Sequence, residues 1–163
     1  MRTITILLTK HRDRMSKFLY YLSWGGYTHS SISLDDGTTY YSFNFRGFCI
    51  ETKEKHKRHG VTESICFQIN VSEEVYAHLK ERITHFEENR EKYRYTLFGV
   101  ICCIFKLPFV KEDNYFCSQF IAELLLTSGA VDLKKSACLY LPNQFYKELK
   151  HCVGLERTID NPI

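Results

Sequence analysis

Asn114-Tyr115-Phe116-Cys117-Ser118-Gln119-Phe120-Ile121-Ala122-Glu123-Leu124-Leu125 sets one cysteine at the start of an apolar-faced helix. Phe116, Phe120 and Leu124 recur at i, i+4 and i+8, and Ile121 and Leu125 fall on the same side. That is a buried stripe of helical period. The turn before it, Lys111-Glu112-Asp113-Asn114, is polar, and Gly129 supplies a left-handed stop just past Ser128. Cys117 then lies in the first turn, where unpaired N–H groups and the helix dipole favour a thiolate. A lone cysteine in such a stripe is more often a small core residue. A nucleophile needs a base elsewhere in the chain.

The bounds around this stretch are simple. The chain has 163 residues, 44% hydrophobic and 15% aromatic, enough for the core of one domain spanning 1–163. A net charge of +3, from 22 basic and 19 acidic side chains, is too balanced to point to nucleic acid. Seven cysteines without a Cys-x-x-Cys pair form neither a disulfide framework nor a structural zinc site. Together with the short apolar start, Thr3 to Leu8, this indicates a reducing compartment, the cytoplasm, with free thiols. The most apolar run, Thr96 to Phe105, is ten residues against the roughly 20 a bilayer span needs. It reads as a second helix packed in the core. A wall for an acyl chain or a membrane contact is its functional reading.

Upstream, Thr3–Leu8 alternates as a strand, and Asp13 or Arg14 opens a short helix ending at Trp24-Gly25-Gly26. Tyr27–Leu34 and Thr38–Phe43 form a hairpin about Asp35-Asp36-Gly37. Arg46–Ile50 is a short extended piece, and the basic run Lys53–His59 reads as a solvated loop. Ser64–Val71 is a further strand. Ser72 caps a helix carrying Val75, Leu79, Ile83 and Phe86 to about Asn89. Pro142 opens a last helix through Leu149, and the tail from Glu156 carries no pattern.

Of seven histidines, six sit beside charged residues, in the basic run, on a polar helix face or near the C-terminus. Only His29 begins an apolar-flanked strand, where an imidazole is held in one direction. If the hairpin turn centres between Asp36 and Gly37, His29 faces Asn44 and Ser31 faces Ser42, with all four side chains on one face. Ser42, Asn44 and, in a shifted register, Tyr41 are then candidates to orient His29. Asn44 would complete a Cys-His-Asn set.

Tyr27-Thr28-His29-Ser30-Ser31-Ile32-Ser33-Leu34, Tyr41-Ser42-Phe43 and Tyr115-Phe116-Cys117-Ser118-Gln119-Phe120 together resemble the circularly permuted papain-like proteins of the NlpC superfamily. The YiiX/YycO-like branch is most similar, and the lecithin retinol acyltransferase-like proteins are more distant. The likeness runs from about Thr3 to Phe145, with the histidine strand ahead of the cysteine helix. The resemblance implies an α+β fold, a small antiparallel sheet packed against helices. It implies a cysteine-dependent hydrolase of amide or thioester bonds, with Cys117 as nucleophile, His29 as base and no metal or cofactor. Relatives often carry an acidic residue or a second histidine as third member, and neither occurs between Tyr41 and Asn44. Glu51, the next acidic residue, lies further along. The substrates implied are small molecules, peptides or acyl groups. An acyltransferase using the same Cys117 intermediate, or a binding module without turnover, are the alternative readings.

Overall fold

The computed structural model describes residues 1–11, 26–34 and 37–163. The helix expected from Asp13 and the hairpin tip Asp35-Asp36 lie outside the described residues. The rest is α+β. Strands β1 (Arg2–His11), β2 (His29–Ser33), β3 (Thr39–Asn44), β4 (Gly47–Thr52), β5 (Val61–Val71) and an edge strand, Leu155–Asp160, form one antiparallel sheet. Its order is β4-β3-β2-β1-β5 and then the edge strand. β1 is central, and six consecutive residues of it, Ile4 to Thr9, are buried. Its β-branched sequence, with Thr5 and Thr9 buried beside Ile4, Ile6, Leu7 and Leu8, suits a strand covered on both faces.

Among the described residues lie helices α1 (Lys53–Arg58), α2 (Glu73–Glu88), α3 (Leu97–Ile104), α4 (Cys117–Ser128) and α5 (Pro142–Leu149), with a 3-10 turn at Ala137–Leu139. A two-residue parallel pair, β6 (Arg94–Tyr95) with β7 (Asn114–Tyr115), leads into α4. The edge strand is therefore β8.

The expected stripe places α4. Phe120, Ile121, Leu124 and Leu125 are buried with Ile32 and Phe43 of the sheet and Phe86 of α2 in one core cluster. Each such side chain contributes about 1.5–3 kcal/mol through burial, so Phe120→Ala alone should cost roughly 3–5 kcal/mol. Glu123 ties the outer side of α4 down, accepting from Arg82 Nη2 at 3.3 Å and from the Tyr115 hydroxyl at 3.1 Å. Gly129 closes the helix at φ 71°, where a Cβ would be strained. Ser72 caps α2 as expected, its Oγ accepting from the Val75 N–H.

Three expectations are corrected. Lys53–His59 is not a solvated loop: α1 forms because Thr52 caps it, accepting from the Lys55 N–H, and His56 is only 1% exposed. The tail is not without structure: Leu155–Asp160 pairs with β5 across a register shift, Leu155 packing against the main core and Ile159 against Leu7, Tyr40 and Cys66. The run Thr96–Phe105 is core on one face only. Val100, Cys102 and Cys103 are buried, while Leu97, Phe98, Ile101 and Phe105 are exposed.

Candidate active site

Cys117 is the first residue of α4. The preceding residue, Phe116, has no side chain able to accept a hydrogen bond, and α4 has no side-chain cap. The first-turn N–H groups therefore keep their donor capacity. His29 is the first residue of β2, fixed by its pairing with Thr9 of β1. The two elements meet so that the His29 ring faces the Cys117 sulfur, and each favours the charged form of the other.

The third member of the cluster is Glu51. Its Oε2 lies 2.9 Å from His29 Nε2. With Nε2 engaged there, Nδ1 is the ring nitrogen left for the sulfur. His56 Nε2, from α1, stands 3.5 Å from the same carboxylate oxygen. His11, at the end of β1, packs edge-on to His29 with centroids 5.4 Å apart, and its Nε2 is 2.9 Å from Thr9 Oγ1. Glu51 thus meets two imidazoles, and a third, that of His11, packs against both of them.

Charge follows from this packing. Burial disfavours the Glu51 carboxylate, but the charge and hydrogen bond of His29, then the charge of His56, override it and hold Glu51 down at about 2. Burial likewise opposes a charged His29, yet Glu51's charge and the bonds to Cys117 and Glu51 raise it well above its ordinary value. Burial would raise the Cys117 thiol. The hydrogen bond and charge of His29, with a bond from the Ser30 backbone, lower it instead. His56 goes the other way: burial outweighs Glu51's attraction and takes it down to about 4. The pattern favours charge on both Cys117 and His29, with the Glu51 carboxylate as counter-charge and His56 held neutral beside it.

Two residues expected to orient His29 do neither. The Ser42 hydroxyl donates to the Ser30 carbonyl at 2.7 Å, and Asn44 Oδ1 accepts from the Arg46 N–H at 2.9 Å within the β3–β4 turn. Tyr41 stacks on Phe48 instead. The β2–β3 register is the one expected, since Ile32 pairs with Tyr41. Among the described residues it is the one pair recorded between those strands, so the ladder does not carry Asn44 onto His29. Glu51 arrives from one strand further. Asn44 pairs with Gly47 and Tyr40 with Glu51, so alternation puts Glu51 on the face that carries Ser42 and Asn44. A reading of that second hairpin, whose Gly47 takes φ 99°, would have found it.

The cluster opens into a cleft of about 1090 Å³ whose lining includes Cys117, His29, Glu51, Phe45, Arg46 and Tyr95.

The antiparallel sheet packed against helices is an α+β fold of a YiiX-like kind. A solved structure similar to the chain is the metalloprotein YiiX from Escherichia coli O157:H7, also described as DUF1105. It is 14% identical, with a TM-score of 0.53, covering 99% of this chain and 89% of that one. No family model matches the chain, and no curated protein does. The word metalloprotein belongs to that neighbour. Among the described residues no group of three or more His, Cys, Asp or Glu is arranged to hold a metal ion. His29 Nε2 and His56 Nε2 lie 2.9 Å and 3.5 Å from the same oxygen of Glu51. Nor is any helix among the described residues long and apolar enough to cross a membrane.

Proposed function

We propose that the chain is a cysteine-dependent hydrolase of the permuted papain-like kind, within the NlpC superfamily that its sequence resembles, acting on an amide or thioester. The observation that carries this reading is the series Cys117–His29–Glu51, with Cys117 at the head of a helix without a side-chain cap, facing His29, and Glu51 bonded to His29 at 2.9 Å. The Cys117 thiolate attacks the carbonyl carbon. The Cys117 backbone N–H donates to the oxygen as it gains charge. The His29 imidazolium gives its proton to the leaving amine or thiol, and an acyl-Cys117 thioester remains. A water then loses its proton to His29 and attacks that thioester, releasing the acid and restoring the thiolate. Glu51 holds the ring in place and stabilises its cationic form throughout.

Transfer to an acceptor other than water is the second reading, favoured by the apolar surface of α3 beside the cleft. The pairing of Cys117 with His29, each favouring the other's charge, supports turnover over a module that only binds.

Activated acyl thioesters and peptide esters, offered separately to the intact protein, test the reading. The expected result is an acyl adduct on Cys117 by mass spectrometry, absent from Cys117→Ala, with turnover reduced at least ~10³-fold in that variant. Equal turnover by Cys117→Ala would contradict it.

A further inference from the structure

The surface formed by α3 and the loop after it is not used by the Cys117 chemistry. A globular helix of eight residues normally shows a polar face to solvent. This one does not. Phe98 is 60% exposed and Phe105 70%, and Leu107 and Val110 in the following loop are also exposed. The geometry keeps them outward. α3 ends where Lys106 takes φ 57°, with the Lys106 N–H bonded to the Cys103 carbonyl and the Leu107 N–H to the Cys102 carbonyl. Phe98 packs edge-on to Phe109 at 4.8 Å, which joins helix and loop into one apolar platform.

The charge on the platform has one sign. From Arg94 to Lys111 the chain carries Arg94, Lys106 and Lys111 and no acidic residue. The acids that follow are Glu112 and Asp113, and Asp113 is paired with Lys92 at 3.2 Å. The platform is also continuous with the cleft. Tyr95, just before α3, packs at a tilt against exposed Phe45 at 4.7 Å, and both line the cleft with Arg46 and Arg94. Large exposed aromatics interleaved with lysines suit the boundary of an anionic bilayer. A protein interface of this size would be depleted of lysine at its centre.

We propose that the α3 platform is an interfacial docking surface that seats the protein on anionic lipid. Phe98, Phe105, Leu107 and Val110 enter the acyl boundary, and Lys106 and Lys111 meet the headgroups. Docked this way, the cleft mouth at Phe45, Arg46 and Tyr95 borders the bilayer. The substrate class that follows, an amphiphile whose carbonyl reaches Cys117 from the lipid side, rests on the catalytic reading above; the docking itself does not.

Vesicle co-sedimentation of the full chain tests it, with phosphatidylcholine alone and with about one-third phosphatidylglycerol added. The expected result is binding to the anionic vesicles only, weakened by salt and reduced roughly tenfold or more in Phe98→Asp/Phe105→Asp and in Lys106→Glu/Lys111→Glu. Circular dichroism and size-exclusion chromatography show whether these variants stay folded. Because the substituted side chains are exposed, they should. If a pair does unfold, the single Phe98→Ser variant carries the same test. Cys117→Ala should bind the anionic vesicles as wild type does, which separates failure of docking from failure of the catalytic reading. Wild type that binds neither vesicle, or both equally, overturns the proposal. So does a dimer that Phe98→Asp/Phe105→Asp dissolves in the absence of vesicle binding, since the occupant would then be a second copy.

Discussion

Cys103 and Cys117 are two thiols of nearly equal burial, 3% and 7% exposed, on two short apolar helices. Their chemistry is opposite. Cys103, inside α3, is pushed up to about 12 because burial outweighs the pull of the Lys135 charge. Cys117, opening α4, is lowered against the same burial because His29 faces it. The helix starts differ in the same sense. Thr96 closes the start of α3, its Oγ1 accepting from the Gly99 N–H at 3.0 Å, whereas no side chain closes the start of α4. Burial alone makes a cysteine inert. A cationic neighbour and free helix-start donors reverse that.

The comparison breaks most sharply at His29. His29→Ala removes the partner and should make Cys117 resemble Cys103. Alkylation of Cys117 at about pH 6 should then fall at least ~100-fold, read by peptide mass spectrometry, with Cys103 unchanged.

Glu51 gives the next effect. Glu51→Gln leaves a buried imidazolium without its counter-charge, and should cost roughly 3 kcal/mol of stability and about tenfold in Cys117 alkylation at the same pH. Ser42→Ala should leave the alkylation profile in place, because Ser42 bonds Ser30 and not His29. The signs of the pH dependence follow from the folded values. Glu51, depressed to about 2, contributes stability that is present above 4.5 and lost as pH falls toward 2. His29, raised, contributes stability that is present below 6.5 and lost as pH rises through its folded value. Urea midpoints across pH for wild type and Glu51→Gln check both limbs.

The smallest effect belongs to the α3 cap. Thr96→Ala should cost about 1 kcal/mol of stability and leave Cys117 reactivity unchanged, as thermal melts and alkylation would show.

What was legible in the sequence follows these same contacts. The α4 stripe, its Gly129 stop and the strand-start His29 are local patterns, and local patterns read directly. Glu51 was not found because it depends on two successive hairpin registers, while Ser42 and Asn44 were nearer in sequence and equally polar. His56 was missed because a run of charges hid the Thr52 cap that turns it into α1 and buries one imidazole. The exposed half of α3 was missed for a different reason. An apolar helix reads as core from its composition, and only the packing shows that half of it has no partner among the described residues.

The most direct measurement is the rate of iodoacetamide alkylation of Cys117 and Cys103 in one sample across pH. A thiolate–imidazolium pair gives a Cys117 rate that is already on its plateau at about pH 6, while Cys103 stays unreactive to beyond pH 9. A Cys117 rate that rises only near the ordinary thiol value, in step with an unactivated cysteine, would contradict the pair and the catalytic reading built on it.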